Sequence, residues 1–362
     1  MKRKNKGNYV GVLSSVFAIV IGLFVGLVVL ILCNPAQAFP GFFTILTGAF
    51  THGMKGVGQV FYYATPIILT GLSVGFAFKT GVFNIGTPGQ FIMGAFGAVY
   101  AGIMWEQLGP VHWAAALLAS IVMGALWGLI PGLLKAYFNV NVVISCIMMN
   151  YIGMYLVNWS VRSNKALFNT LRNESKNVAA TAVIPKMGLD KVFPGSSVNG
   201  GILIAIAVVL LIYVLLNKTA FGYELKAVGY NQDAGKYAGI NEKRNVVAAM
   251  MIAGAIAGLA GGLLYLAGTG KHIEIKDILA SEGFTGISVA LLGLSHPIGV
   301  LFSGIFIAYL TAGGFYLQLF EFSTEIIDII VAVIIYFSAF ALIVKTILTR
   351  VNKNREKGGG QP

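Results

Sequence analysis

Residues 10–32 read VGVLSSVFAIVIGLFVGLVVLIL, a stretch of apolar and small residues that contains no charged side chain. About 23 residues of α-helix cross the roughly 30 Å hydrocarbon core of a bilayer. The preceding segment, MKRKNK (1–6), is basic, which predicts that this end lies in the cytoplasm. Ala36-Gln37-Ala38 resembles a signal-peptidase site, but the apolar stretch exceeds the about 7–15 residues of a cleavable signal. The sequence therefore predicts an uncleaved first span.

The composition of the whole chain indicates the same environment. Of 362 residues, 25 are Lys or Arg and 13 are Asp or Glu, so 10% are charged, against about 25% in ordinary globular proteins. The hydrophobic share of 57% is too large for a soluble domain to bury, which excludes a cytosolic enzyme, a secreted module and a disordered chain. The net charge of +12 fits basic cytoplasmic segments, and we expect no nucleic-acid partner. Cys33 and Cys146 give no disulfide or metal-binding pattern.

Further apolar segments predict an all-α fold, a polytopic transmembrane helical bundle of about ten spans. Besides 10–32, the segments are 57–78, 82–105, 112–134, 140–161, 200–217, 246–268, 283–295, 298–316 and 326–348.

The placement of charge predicts the domain organisation. Residues 1–9 and 349–362 are basic and are predicted as cytoplasmic tails, which requires an even number of spans. The membrane domain then covers 10–348. Within it, the polar loop 162–199 is predicted to be extracellular and the polar loop 218–244 to be cytoplasmic.

Two segments are similar to each other, as expected if the chain contains a two-fold internal repeat. Residues 81–102 (GVFNIGTPGQFIMGAFGAVYAG) and 283–304 (GFTGISVALLGLSHPIGVLFSG) both alternate small residues with larger apolar ones. A glycine- or proline-interrupted segment in each half of a chain is typical of a transporter with its site near the midplane. Glycine-rich membrane helices also resemble one another without a repeat, so both explanations stay open.

The cytoplasmic loop contains the pattern of two short helices. Glu224, Leu225 and Ala227 fall on the first, and residues 234–238 form the second. Gly229 and Gly239 are predicted to break the chain before and after the second helix. A structured cytoplasmic element between spans suits docking into a groove of a partner protein.

The stretch FGYELKAVGYNQDAGKYAGI (221–240) resembles the cytoplasmic loop of inner-membrane permeases of ABC importers. The branch in question serves branched-chain amino acids, simple sugars and nucleosides. Gly235 departs from this pattern, since alanine is usual there. The positions that match are Gly222, Lys226, Ala227, Gly229, Asn231, Ala234, Ala238, Gly239 and Ile240.

Two further stretches extend the resemblance to about residues 57–348. FNIGTPGQFIMGAF (83–96) is similar to the nucleoside permeases of this branch, and GFTGISVALLGLSHPIGV (283–300) is similar to its C-terminal half. The resemblance implies a permease subunit for nucleosides in a bacterial cell membrane. It also implies a second permease subunit, the same or different, a separate ABC ATPase that carries the ATP, and an extracellular substrate-binding lipoprotein. The implied ATPase-coupling residues are Gly222, Glu224, Ala227, Gly229, Asn231, Ala234 and Gly239.

The chain lacks the sequence features that its own ATP site or coupling to an ion gradient would require. Its nearest string to a phosphate-binding loop, AGTGKH (267–272), has no upstream glycine at the required position and no Ser or Thr after the lysine. We therefore expect no catalytic site, cofactor or metal in this chain. No charged residue falls clearly in mid-span, which disfavours ion coupling. The alternatives are an ABC permease for simple sugars or branched-chain amino acids, and an ion-coupled secondary transporter.

The NIGTPGQ stretch (84–90) is the predicted translocation path. Amides are costly in lipid unless they face a partner or a cavity, and Pro88 and the glycines interrupt the helix there. Aromatic faces and amides suit a flat base and a hydroxylated sugar. The simpler alternative is that the amides form hydrogen bonds between helices. The candidate path residues are Phe83, Asn84, Thr87, Gln90, Phe91, Ser145 and Asn150.

Overall fold

Helices form most of the chain that the structure describes, because a backbone in lipid must satisfy its own N–H and C=O groups. The computed structural model describes residues 2–322 and, beyond them, Ile329, Ala332, Val333, Tyr336, Phe337 and Thr346. Within 2–322 the helices are α1 (Lys2–Cys33), α2 (Ala38–Thr51), α3 (Gly53–Lys79), α4 (Thr87–Met104), α5 (His112–Phe138), α6 (Val142–Ser163), α7 (Leu189–Val192), α8 (Gly201–Lys218), α9 (Ala220–Tyr230), α10 (Gln232–Tyr237), α11 (Glu242–Tyr265), α12 (Ser281–Leu292) and α13 (Pro297–Phe315).

The helices confirm an all-α polytopic bundle. Among the described residues, six helices are long and apolar enough to cross a membrane, namely α3, α5, α6, α8, α11 and α13, with α5 and α13 extended by short 3-10 turns. The N-terminal segment predicted as a tail belongs to the same helix as the predicted first span, because α1 begins at Lys2. The predicted span 326–348 and the tail 349–362 lie outside the continuously described residues.

Helix α11 lies at the centre of the bundle against α3, α4 and α5. Glycines make this close packing possible. A Cβ atom on Gly124 of α5 would collide with the Gly254 carbonyl of α11, and one on Gly94 of α4 would collide with Gly258. Small residues of this kind let helix backbones approach in membranes, where dispersion contacts replace the hydrophobic effect as the main attraction between helices.

Helix α2 is an element that the sequence analysis missed. Its 14 residues reach about 21 Å, which is too short to cross the hydrocarbon core. Gly41 packs against Leu317 and Phe322, and Gly48 packs against Tyr316 at the end of α13. Helix α2 is therefore too short to add a span between α1 and α3.

The second half of the bundle packs on α3 through further glycines. A Cβ atom on Gly71 would crowd Val289 of α12, and one on Gly286 would crowd Thr70. Both α4 and α13 begin after a non-helical break and carry proline in their first turn, Pro88 and Pro297. In the alignment of 81–102 with 283–304, however, the break falls at the start of one segment and in the middle of the other. The internal repeat stays a prediction.

The polar loop 162–199 folds over one end of the bundle. It contains two-residue strands, Phe168–Asn169 and Glu174–Ser175, paired antiparallel. The Ser175 amide donates to the Ile273 carbonyl (2.9 Å), and the Ile275 amide donates to the Asn173 carbonyl (3.1 Å). This loop and the segment between α11 and α12 therefore form one cap on a single membrane side.

Candidate translocation path and coupling segment

Helix α9 is fixed at its start by a threonine. The Thr219 hydroxyl accepts from the Gly222 amide (3.0 Å) and donates to the Leu215 carbonyl (2.6 Å). A Cβ atom on Gly222 would collide with that same carbonyl, so this turn requires glycine. Leu225 and Val228 are buried, which joins α9 to the bundle, while Glu224 and Ala227 are half-buried beside them.

Asn231 separates α9 from α10. Its backbone is extended, and its side-chain oxygen accepts from the Ala234 amide (3.0 Å), which caps α10. The prediction that Gly229 breaks the chain is therefore wrong, because a polar cap residue serves as the break and Gly229 lies inside α9. Gly239 ends the segment as predicted, with φ of 78°, a conformation that favours glycine.

Gly229 makes a close contact with the first half of the bundle. A Cβ atom on Gly229 would collide with the backbone of Thr80 and Gly81, which follow α3. Gly81 itself has φ of 76°, and a Cβ atom there would collide with Gly229. The glycine pair is thus a direct backbone contact between α9 and the segment that leads into α4.

The outer surface of α9 and α10 is exposed and aromatic. Tyr223, Tyr230 and Tyr237 recur at seven-residue spacing and are 69%, 88% and 95% exposed. Ala234 of α10 is exposed as well. Aromatic residues are enriched where proteins meet, so this surface has the chemistry of a docking site.

Three predicted path residues meet in the break before α4. Asn84 and Gln90 form a reciprocal pair: the Asn84 amide donates to Gln90 Oε1 (2.9 Å), and the Gln90 amide donates to Asn84 Oδ1 (3.3 Å). The Gly86 amide also donates to Asn84 Oδ1 (2.9 Å), and the Thr87 hydroxyl is 3.5 Å from the Asn84 carbonyl. All three side chains are buried.

Asn150 of α6 joins the break to a second helix. Its Oδ1 accepts from the Gly89 amide (2.9 Å), and its Nδ2 donates to the Ile85 carbonyl (3.0 Å). Cys146 lies one turn earlier, with its sulfur 3.7 Å from Asn84 Oδ1. Ser145 is also buried, but its hydroxyl donates to the Val142 carbonyl of its own helix (3.0 Å), so the structure does not join it to this network.

The two phenylalanines do not form a pair around the break. Phe91 is buried, with its ring centroid 6.5 Å from that of Tyr265. Phe83 is 47% exposed and stacks on Phe78 at 4.8 Å. The interhelical hydrogen bonds expected under the simpler alternative are present. They hold an irregular backbone at the start of α4, a feature that proteins keep in membranes only under protein cover or beside a cavity.

Sequence reasoning missed the residues that meet this break from the second half. A Cβ atom on Gly283, in the first turn of α12, would collide with Pro88. The neighbouring Glu282 pairs with Lys271 (3.0 Å), whose ammonium lies 5.9 Å from the Tyr265 ring centre. An ion pair at eleven-residue spacing has no recognisable sequence signal. The only clue was a carboxylate directly before an apolar segment.

The pattern of the family described as branched-chain amino acid transport system, permease component, matches residues 56–339. The guanosine ABC transporter permease protein NupP of Bacillus subtilis is 34% identical over 93% of this chain and 95% of its own length. The nucleoside ABC transporter permease protein NupB of Lactococcus lactis is 31% identical over 94% and 93%.

A third relative has a different substrate in its name. The glucose ABC transporter permease protein TsgB13 of Haloferax volcanii is 30% identical over 89% of this chain and 85% of its own length. No solved structure matches the chain. The family pattern covers more than half of the chain, and the matched residues include nearly all of the six long apolar helices. The chain is therefore a multi-pass membrane protein that belongs to the family of ABC transporter permease components.

Proposed function

We propose that this chain is the membrane-spanning subunit of an ATP-driven importer of nucleosides. The observation that carries the proposal is the similarity, over more than nine-tenths of both chains, to permeases named for guanosine and for nucleosides. The break at residues 84–90, which was singled out as nucleoside-permease-like from sequence, is built around buried amides. The chain contributes the path and a separate ABC ATPase carries the ATP.

The proposed topology has ten spans and both termini in the cytoplasm of a bacterial cell. The six long apolar helices supply part of that count. Helices α1 and α4 and the predicted span 326–348 would supply three more. Helix α12 has only 12 residues, fewer than α2, so it would complete the tenth span only together with the non-helical segment that precedes it. Loop 218–244, with α9 and α10, would then lie in the cytoplasm, and loop 162–199 would lie outside.

Residues 221–240 are proposed to couple the ATPase to the path. The exposed tyrosines offer a docking surface, and Leu225 and Val228 anchor α9 in the bundle. A displacement of α9 reaches Gly81 through Gly229, without an intervening side chain. Gly81 leads directly into the segment of Asn84. Movement of α9 would therefore change the break at the start of α4, and with it the access to the path.

The path is proposed to run beside the break. In this arrangement Asn84, Thr87 and Gln90 hold the irregular backbone in shape, and Asn150 fixes it to α6. Phe83, Phe91 and Ser145 remain candidates for surfaces that line the path. The first turn of α12 approaches the same place, so both halves of the bundle contribute to it.

The complete importer requires partners. We propose a second permease subunit, either a copy of this chain or a related one, two cytoplasmic ATPase subunits and an extracellular substrate-binding lipoprotein. The binding protein would deliver the nucleoside to the membrane side that carries loop 162–199. ATP binding would then rock the bundle between outward-open and inward-open states.

A sugar or a branched-chain amino acid is the alternative substrate. The glucose permease among the relatives and the description of the family favour it. Uptake of radiolabelled guanosine into a strain that lacks this gene, restored by the chain on a plasmid, separates the substrates. Excess unlabelled nucleosides should abolish the restored uptake, whereas glucose, ribose and leucine should leave it unchanged. Restored uptake of glucose, ribose or leucine without that of guanosine would replace the nucleoside assignment.

A further inference from the structure

A cavity of about 380 Å³ lies beside the last turns of α6, apart from the break at residues 84–90. It is an open cavity, since five of its seven lining residues are exposed, and its volume falls in the range of about 300–1,000 Å³ of small-molecule sites. Aromatic, amide and charged side chains line it together. The lining residues are Tyr155, Asn158, Trp159, Arg162, Ile275, Lys276 and Asp277.

The cavity lies on the membrane side opposite α9 and α10. The end of α5, at Lys135 and Asn139, shares a pocket with Gln232 and Asp233 of α10. Helix α6 begins just after that end of α5 and runs for 22 residues, about 33 Å, to Ser163. Its last turns are therefore a bilayer's thickness away from the coupling segment. In the proposed topology this is the side to which the binding protein delivers substrate.

An aromatic stripe leads from the cavity along α6. Tyr151, Tyr155 and Trp159 recur at four-residue spacing, so they lie on one face, and they are 47%, 54% and 66% exposed. Neither tyrosine hydroxyl has a hydrogen-bond partner among the residues that the structure describes. Tyr151 lies near the middle of the helix, where a hydroxyl facing hydrocarbon would be unsatisfied. Tyr155 and Trp159 lie in the last turns of α6, as interfacial anchors do, so Tyr151 is the residue that sets this stripe apart from an anchor.

The polar wall of the cavity is held in place by Asn158. Its Nδ2 donates to the Lys276 carbonyl (3.0 Å) and approaches Asp277 Oδ1 (3.4 Å). Lys276 pairs with Glu274 (2.9 Å), whereas Asp277 and Arg162 have no salt bridge within the described part of the chain. A carboxylate is thus positioned beside two aromatic rings with acceptor capacity to spare.

This combination matches the two parts of a nucleoside. A base has a π-face that stacks on aromatic side chains, and the ribose offers neighbouring hydroxyl donors that a carboxylate accepts. We propose that the cavity is the outer binding site for a nucleoside, with the base against Tyr155 and Trp159 and the ribose hydroxyls on Asp277. The inference rests on the proposed function and adds its first substrate-contacting residues.

The test uses the assembled importer in proteoliposomes with its binding protein, and measures KM and the maximal rate of nucleoside uptake. Trp159→Ala and Tyr155→Ala are expected to raise KM for guanosine about tenfold, because one lost stacking contact is worth about that factor. The effect on uridine should be smaller, since a pyrimidine offers less stacking area. Asp277→Asn should raise KM for both nucleosides alike, since both carry the same ribose.

Phe302→Ala is the matched control, because Phe302 is an aromatic residue of α13 that is 67% exposed, as Trp159 is at 66%. We expect this variant to keep the wild-type KM. If wild-type importer transports guanosine and all three cavity variants behave like the control, the cavity assignment is wrong while the proposed function stands. If the wild type transports no nucleoside, the proposed function is wrong, and the cavity assignment that rests on it is wrong as well. Basal ATP hydrolysis, measured in parallel, verifies that each variant is assembled.

Discussion

Gly229 of α9 lies in direct backbone contact with Gly81, the residue through which α3 leads into the break before α4. The contact joins the exposed coupling segment to the irregular backbone before α4. Neither residue has space for a side chain in this arrangement. A methyl group at this point therefore separates two parts of the molecule that otherwise touch.

Substitution of Gly81 tests that contact. Gly81→Ala is expected to abolish most transport at matched protein levels, because its Cβ atom would collide with Gly229. Gly188→Ala is the control, since Gly188 has a similar positive φ, 83° against 76°, but open space around it. Both variants carry a conformational cost of about 1–2 kcal/mol. Equal uptake in the two variants would remove the mechanical role of the contact.

Substitutions in the coupling segment should separate ATP hydrolysis from transport. Glu224→Ala alters a half-buried position of α9, and Gly239→Ala forces a residue with φ of 78° out of its favoured conformation. We expect both variants to assemble in part, to hydrolyse ATP and to import little. Uptake and hydrolysis are measured on the same reconstituted complex. Full uptake in both variants would argue against coupling through residues 221–240.

The exposed tyrosines should determine binding to the ATPase. Replacing Tyr230 and Tyr237 by serine is expected to reduce co-purification of the ATPase at least severalfold, because interface aromatics are frequent hot spots. The permease itself should stay folded, since both side chains are almost fully exposed. Leu171→Ser, at a position that is 94% exposed in the opposite loop, is the control. Unchanged co-purification of the tyrosine variant would place the docking surface elsewhere.

The amide network at residues 84–90 should act as one unit. Asn84→Ala or Gln90→Ala leaves a buried amide without its partner, which costs about 1–3 kcal/mol. The double variant should lose less stability than the sum of the two single variants, since the second substitution removes the orphaned group, although every variant without Asn84 also leaves the Gly86 amide without its acceptor. Thermal unfolding in detergent measures this non-additivity. Strictly additive losses would show that the two amides are independent.

The same variants test the path. With protein levels matched, Asn84→Ala and Gln90→Ala are expected to reduce nucleoside uptake. Thr311→Val is the comparison, because the Thr311 hydroxyl donates only to the Ile307 carbonyl of its own helix and Thr311 is not a candidate path residue. Wild-type uptake in both amide variants would remove residues 84–90 from the path.

Much of the fold could be predicted from apolar length alone. The bounds of α5 and α8 lie close to the predicted spans 112–134 and 200–217, because uninterrupted apolar sequence in lipid has few alternatives to helix. Helix α2 could not be predicted in this way, since its 14 residues are too few to span and no charge marks its ends. Its position depends on Gly48 and Tyr316, which are distant in sequence.

The sequence could predict which residues belong to the candidate site, but not which contacts these residues make. Asn84, Thr87 and Gln90 stood out because polar side chains are rare in an apolar stretch, and they do meet. Their exchange of hydrogen bonds, the cap from Asn150 and the approach of Gly283 depend on tertiary packing that spacing does not encode. Gly229 was misassigned for the same reason, because its need for glycine comes from a contact rather than from a turn.

The close contact between Gly283 and Pro88 has an electrostatic consequence. It brings the N-termini of α12 and α4 together, and each helix N-terminus carries about half a positive elementary charge. The Glu282 carboxylate that could offset this field is already held by Lys271. A solute on the proposed path would pass beside these helix ends and meet a positive field there. That field would disfavour a bare cation and favour the carbonyl and hydroxyl oxygens of an uncharged solute.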